Sequence, residues 1–369
     1  MSAGILTKLK QEDAALVDTT SANPRKLAVV IFNLGGPDTP QAIRPFLLNL
    51  FSDPAILRIP NPFRWVAARL IAGRRAGTTE EIYRKVGGGS SILPATVDQA
   101  EALKKEIADT AEQVEVFVFM RYWHPLVSET VSRIKEFGPD RIVLLPLYPQ
   151  FSTTTTGTSI KAFREAARKL RLTAPQDVVC CYPAHHGFLD ATAANIRKSL
   201  DEATRHGDPR LLLSAHALPQ RTINAGDPYQ WQVEMTSAAI VEALDRSGLD
   251  WVTCYQSRVG PVQWIGPSTE DEVRRAGEEG RPVVVVPIAF VSEHVETLVE
   301  IDMDFREVAA ATGVPFFTRC PTVAVDCDFI RGLGDLVRGA LGRQGIASDI
   351  GPRRCPMEFG TCPNTTPAH

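Results

Sequence analysis

The stretch VVVVPIAFVSEHVETLVEID, Val283 to Asp302, decides how the chain is read. Val283 to Val286 are β-branched residues in succession, the pattern of a strand buried on both faces. Pro287 suits the strand's end, where a ladder donor is no longer required. After Phe290 the pattern turns helical. Ser292 can cap the helix, and the carboxylates that follow suit its positive end. Glu293, Glu296, Glu300 and Asp304 recur at helical spacing, so a helix aligns them on one face. Leu298, Ile301 and Phe305 are left to pack elsewhere. An acidic row beyond a buried parallel strand lies where open α/β sheets bind ligands. The plainer reading is a solvated helix face. His294 lies within the acidic turn, and the nearest basic residue, Arg306, comes late. A bound cation or shared protons would relieve the repulsion. Both readings stay open on this stretch alone.

The rest of the chain supplies the context for that strand. Its 369 residues exceed one ordinary core, which implies two domains. A hydrophobic content of 44% and a net charge of −3 describe a soluble globular protein and exclude a nucleic-acid binder. No apolar run is long enough to span a bilayer. Residues 1–26 have neither an apolar core nor a signal-peptide pattern and read as a polar leader of a cytoplasmic protein. In such a chain, the 7 cysteines point to metal or free thiols before structural disulfides.

Strands alternate with helices along the chain. KLAVVIFNLGGP (Lys26 to Pro37) is a first strand running into Gly35 and Gly36. These glycines allow close backbone approach, either to a ligand or in a tight turn. Strands follow at Val114–Phe119, Arg141–Leu147 and Asp177–Tyr182, with helices over Leu126–Phe137 and Lys161–Leu170. A second set repeats the theme: strands at Arg210–Ser214, Trp251–Gln256 and Arg281–Ala289, helices over Trp231–Ser247 and Asp328–Leu341. Alternation of this kind predicts parallel sheets with crossover helices on their faces. We expect two similar halves, 27–180 and 181–343, then a cysteine-containing tail, 344–369.

Two segments fall outside this alternation. Gln41 to Ala76 combines Phe63, Trp65, Val66, Leu70 and Ile71 with Arg58, Arg64, Arg69, Arg74 and Arg75. It reads either as a basic amphipathic lip resting on an anionic bilayer or as core residues beside an exposed arginine face. GGGSS, Gly87 to Ser91, reads as a flexible loop able to close over something.

Polar groups gather where the strands end. They are Asn33, Arg121, Tyr122, Tyr148 and Ser152 in the first half, and His216, Gln256, Ser257 and Glu296 in the second. Each alone has a structural explanation; together they would line a cleft between two sheets. No Ser-His-Asp or Cys-His pattern declares a nucleophile. His216 with Glu296 instead suggests metal handling or proton transfer, and so small a ligand set suits a metal in transit.

Those blocks carry a resemblance. SAHALPQRTINAGDPY (Ser214 to Tyr229), YQSRVGPVQWIGP (Tyr255 to Pro267) and PIAFVSEHVETLVEID (Pro287 to Asp302) resemble the signature blocks of the ferrochelatases. So do FNLGGP, FLLNLFSDP, RYWHP and LYPQFSTTTTGTS, in the expected order between about Ala28 and Leu341. The family inserts ferrous iron into a porphyrin, the last step of protohaem synthesis. The resemblance implies two Rossmann-like halves, His216 and Glu296 as the catalytic pair that also meets the metal, and 41–76 as the lip of the porphyrin mouth. It also implies a locally widened helix near Glu296 to Glu300. Glu293, His294, Glu300 and Asp304 would extend a path for protons or metal. Leu34, Tyr122 and Trp264 would be porphyrin walls; Arg121, Ser152 and Tyr229 would meet the propionates. Protoporphyrin and Fe²⁺ are the implied substrates, with coproporphyrin as the alternative. A cobalt or nickel chelatase of the same fold, or a non-enzymatic haem carrier, are the rivals. The lip implies peripheral membrane contact, and the oligomeric state stays open.

Two departures from the family pattern stand out. Ser91 replaces a proline common in the family, and Thr153 stands where mammalian members have a cysteine. Some members carry a [2Fe–2S] cluster near the C-terminus. Cys320 with Cys327 and Cys355 with Cys362 are the expected ligands here, four thiolates being the usual complement. Zinc and free thiols are the alternatives, while Cys180, Cys181 and Cys254 read as small buried hydrophobes.

Overall fold

The computed structural model describes residues 24–365; the polar leader lies, up to residue 23, outside the described residues. In the first half, β1 (Lys26–Asn33), β2 (Gln113–Met120), β3 (Arg141–Pro146) and β4 (Gln176–Val179) form a parallel sheet in the order β2-β1-β3-β4. In the second, β5 (Arg210–His216), β6 (Asp250–Gln256), β7 (Val283–Pro287) and β8 (Phe317–Arg319) repeat that order as β6-β5-β7-β8. Each half therefore has its switch in strand order beside its first strand, β1 or β5. The carboxyl end of such a strand is the place for a ligand. Val283 to Val286 are fully buried, as their β-branched run predicts. All pairings within both sheets are parallel.

The halves are not simply consecutive. A tail strand, β9 (Ile346–Ala347), adds to the first sheet beside β4. The closing helix, Cys327–Leu341, packs against helices Ile92–Glu106 and His186–Ala203 and against β3 and β4. One hydrophobic core runs through both halves, joining Leu27 and Val143 to Leu211 and Val284. This shared core fixes the distance between the two strand ends that face each other.

Two glycine-containing loops are tied to protein. Gly35 has φ 85°, and a Cβ there would lie 2.8 Å from the Cβ of Met120. The close approach is to protein, so the tight-turn reading holds. A Cβ on Gly89 would lie 2.4 Å from the Asp38 carbonyl oxygen. Ser90 N–H donates to Pro37 O, and Ser91 Oγ donates to Glu293 O at 2.8 Å. GGGSS is thus clamped to the backbone of Glu293, and Ser91 makes the clamp.

The stretch 41–76 forms a helical pair, Ile43–Ser52 and Phe63–Arg84, projecting from the first half. Phe63, Trp65, Val66 and Leu70 are exposed, and the Arg69 guanidinium lies 3.6 Å from the Trp65 ring centre. Ile43, Phe46 and Leu47 of the first helix and Ala68, Ala72 and Tyr83 of the second are buried. Among the described residues, no helix is long and apolar enough to cross a membrane.

Candidate active site

The ends of β1, β3, β5 and β7 open onto one cavity. Leu34, Leu147, Tyr148 and Ser152 come from the first half, and His216, Trp264, Phe290 and Glu296 from the second. Burial leaves several polar atoms around it without a protein partner: Tyr148 OH, Thr155 Oγ1, Trp264 Nε1 and His294 Nδ1. Buried polar groups are normally satisfied, so these mark a place for a ligand.

His216 is the last residue of β5, and its Nδ1 lies 2.9 Å from Glu296 Oε2. Burial by itself would lower the imidazole pKa, but the Glu296 charge and hydrogen bond outweigh it and raise the pKa above the ordinary value. Burial likewise opposes ionisation of Glu296, yet His216 holds it down at about 2. With Nδ1 engaged by the carboxylate, Nε2 is the imidazole nitrogen left for a proton from the cavity.

Glu296 opens a π-helix, Glu296–Asp304, which runs directly into helix Phe305–Ala311. A π-turn is a common irregularity at functional sites. Its acidic groups go to separate partners. Glu300 accepts from Ser257 N at 2.6 Å and also from Ser257 Oγ. Ser257 sits at φ 63°, a left-handed conformation unusual for serine, with both of its donors turned to that carboxylate. Burial first, then the Glu296 charge, raises the Glu300 pKa. Asp304, half exposed, pairs with Lys85 at 3.0 Å.

Ser292 does not cap this helix. Its hydroxyl donates to Gln99 Oε1, and the helix starts three residues later. Glu293 therefore precedes the acidic row instead of belonging to it. Its carboxylate meets Arg319 Nη1 at 2.8 Å, Thr322 N at 2.9 Å and Thr297 Oγ1 at 2.6 Å. These partners lower its pKa despite its burial. The shortage of counter-charges inferred from the sequence was thus incomplete: Arg319 and Lys85 come from elsewhere in the chain. His294 lines the cavity, with Nε2 3.9 Å from Glu296, and burial lowers its pKa.

The family model for ferrochelatase matches residues 26–341. The chain belongs to the ferrochelatase family. It is 51% identical to the ferrochelatase of Phenylobacterium zucineum over 339 residues, 91% of this chain and 97% of that one. With the ferrochelatase of Caulobacter vibrioides (strain NA1000 / CB15N) it shares 48% over 342 residues, 92% of this chain and 97% of the relative. The solved structure of SirB from Bacillus subtilis with Fe3+ covers 86% of this chain and 96% of its own, with TM-score 0.50 and 10% identity. That likeness shows the shared fold.

Against the ferrochelatase pattern, the structure brings Leu34, Ser152, His216, Tyr229, Trp264, His294 and Glu296 to the cavity wall. Arg121 and Tyr122 are not among its lining residues. Arg121 is committed to Asp53 at 2.5 Å and to Thr158, and Tyr122 OH donates to the same Asp53. The cations at the cavity are Arg58 and Arg221. Arg58 could have been found, since it belongs to the arginine-rich lip. Arg221 carried no signal beyond its place in the block that follows His216.

The cysteine expectation needs correction. Cys320 is buried beside Ser199 at the end of β8, and Cys327 is exposed at the start of the closing helix. Neither joins the tail pair. Cys355 interacts instead with Cys362 and with Cys181, and Cys181 Sγ lies 3.6 Å from Cys180 Sγ. The hydrogen bond between the tail thiols raises the Cys355 pKa and lowers that of Cys362. Gln232 Nε2 donates to Cys355 Sγ at 3.0 Å. The C-x6-C repeat concealed this because β9 carries the tail back to the end of β4, where Cys180 and Cys181 lie.

Proposed function

We propose that the protein inserts ferrous iron into protoporphyrin IX to give protohaem. The observation that carries this reading is the His216–Glu296 pair, 2.9 Å apart on the wall of a largely apolar interdomain cavity in a chain of the ferrochelatase family. Free-base porphyrin must lose two pyrrole protons as the metal enters. His216 Nε2 takes the two protons in turn, releasing the first to the acidic route before it accepts the second, and Glu296 fixes the tautomer and stabilises each imidazolium. Binding a bent ring more tightly than a flat one would expose the pyrrole nitrogens. Leu34 and Trp264 supply apolar wall. Arg58 and Arg221 are the candidates for the propionates in place of Arg121, because the Ser152 and Tyr229 hydroxyls already donate to Asp227 and to the His216 carbonyl. Glu300 and Asp304, beyond Glu296, form the route for protons or metal.

Protoporphyrin is favoured over coproporphyrin because the exposed apolar residues of 63–70 suit the less carboxylated substrate. The same residues and their arginines support reversible, peripheral contact of a cytoplasmic protein with an anionic bilayer.

The tail thiols support a [2Fe–2S] cluster held by Cys181, Cys355 and Cys362 with Cys180. Four sulfurs are the usual complement, and the Gln232 N–H directed at Cys355 Sγ is the kind of donor that stabilises a ligating thiolate. Bound there, such a group would supply a cross-link between the tail and β4, away from the insertion chemistry.

The deciding experiment is anaerobic incubation of the purified protein with Fe²⁺ and either protoporphyrin or coproporphyrin, following loss of porphyrin fluorescence. Faster turnover of protoporphyrin is expected. Preference for coproporphyrin would overturn the substrate assignment. Tight retention of haem without turnover would make the protein a carrier.

A further inference from the structure

The short connection between helix Gln220–Asn224 and helix Tyr229–Leu244 places Asp227 between the two halves. This carboxylate is 1% exposed, and no cationic side chain pairs with it among the described residues. Four hydrogen bonds satisfy it. Oδ1 accepts from Tyr229 N at 3.1 Å. Oδ2 accepts from Ser152 Oγ at 3.1 Å, Thr153 N at 2.8 Å and Thr153 Oγ1 at 2.6 Å. Thr153 opens a π-turn that continues into helix Thr158–Leu170. The second half thus caps a helix of the first half, and the helix's positive end replaces the missing counter-ion.

Each bonded group leads to the cleft. Ser152, Thr154 and Thr155 line the cavity on one side. Tyr229 lines it on the other and donates through its hydroxyl to the carbonyl of His216 at 3.0 Å. The neighbouring segment is stitched across in the same way. Phe151 N donates to Gln232 Oε1 at 2.7 Å, and Gln150 Nε2 to Thr236 Oγ1 at 2.9 Å. Among these links, Asp227 alone is charged.

We propose that Asp227 is a positioning residue that holds the Ser152–Thr155 wall in register with the His216 strand end, so that the porphyrin meets a preformed cleft. The inference rests on the porphyrin-metallating reading of the cavity. Asp227 touches no substrate in this scheme; it acts through Thr153, Ser152 and Tyr229. Asparagine cannot replace it, because its amide NH₂ would face one of the N–H or O–H donors.

The test compares Asp227→Asn, Thr153→Val and the double variant in the full-length protein. Thr153 is absent from the cavity lining, so valine there removes a bond to Asp227 without altering the wall's surface. Asp227→Asn should raise the porphyrin KM by roughly 10-fold, the scale of one lost charge-assisted hydrogen bond, while KM for Fe²⁺ stays constant. Thr153→Val should raise the porphyrin KM by about 3-fold, and the double variant should be no worse than Asp227→Asn because the two share a bond. General destabilisation would lower the active fraction and kcat without this split. An unchanged porphyrin KM in Asp227→Asn, equal rises for both substrates, or full multiplication in the double variant would each overturn the proposal. If Asp227→Asn does not fold, Thr153→Val decides alone, and a wild-type porphyrin KM refutes the role. Failure of the wild-type protein to metallate any porphyrin would instead refute the functional reading.

Discussion

Glu296→Gln isolates what the carboxylate does for His216. Glutamine has nearly the same shape and can still accept the Nδ1–H, so the imidazole keeps its orientation. What disappears is the charge. A hydrogen bond to a charged group contributes about 1.5–3 kcal/mol, against about 0.5–1.5 for a neutral one. The imidazole side chain is 40% accessible, so solvent screening favours the lower end of that difference. A loss of about 1–2 kcal/mol corresponds to a kcat lower by roughly 5- to 30-fold at neutral pH. The pH profile supplies the sign. In the wild type, Glu296 raises the His216 pKa above 6.5, and the base form is lost as pH falls through that raised value. In the variant the Glu296 charge is gone and the pKa falls. The acidic limb of the rate profile must therefore move to lower pH even as the maximum rate drops. The assay is anaerobic fluorescence-detected iron insertion across pH, with porphyrin affinity measured separately by titration. Lost porphyrin affinity at an unchanged kcat, or an acidic limb that stays put or moves up, would refute the proton role.

Other outcomes follow from the same structure. His216→Ala should fold normally and lose about 10²- to 10⁴-fold in turnover, the usual range for general-base removal; near-normal turnover would remove His216 from the mechanism. Serine at both Phe63 and Trp65 should abolish flotation with phosphatidylserine-containing vesicles at low salt, since each exposed ring can contribute about 1.5–3 kcal/mol on burial. Wild-type protein that fails to float, with and without porphyrin, would sink the membrane proposal. Cys355→Ser or Cys362→Ser should bleach visible absorption and remove acid-labile sulfide, while Cys320→Ser and Cys327→Ser should leave both intact. Colourless wild-type protein, purified anaerobically from iron-replete cells, would exclude the cluster.

The sheets were legible because buried parallel strands write themselves as continuous apolar runs: Val283–Val286 and RIVLLP need no partner to be recognised. His216 was legible because it ends a strand, and Glu296 because it belongs to the acidic row that follows one, both within family blocks. What stayed hidden was pairing across the chain. Arg121 looked available for a propionate, but its partner Asp53 lies 68 residues earlier. Glu293 looked like part of the acidic row, but Arg319, 26 residues later, claims it. Cys180 and Cys181 are buried packing residues, as the sequence reads, but nothing local shows that the tail returns to β4 and brings Cys355 near Cys181. Local periodicity records what a side chain could do; long-range contacts decide which option is used.

The acidic row shows how that decision produces chemistry. Glu296 and Glu300 are one turn apart and would repel as equals. The fold makes them unequal. His216 keeps Glu296 ionised, while burial and the Glu296 charge raise the pKa of Glu300. The Ser257 donors then hold Glu300 in place at a backbone conformation that serine rarely adopts. Beyond it, Asp304 reaches the half-exposed surface beside Lys85. Carboxylates whose environments push their acidities apart take different roles. On the proposed reading, the ionised Glu296 strengthens the base at the porphyrin, and the more basic Glu300 is the next group able to carry a proton outward. Both carboxylates stand on the π-helix, Glu296 against His216 and Glu300 against the backbone N–H of Ser257.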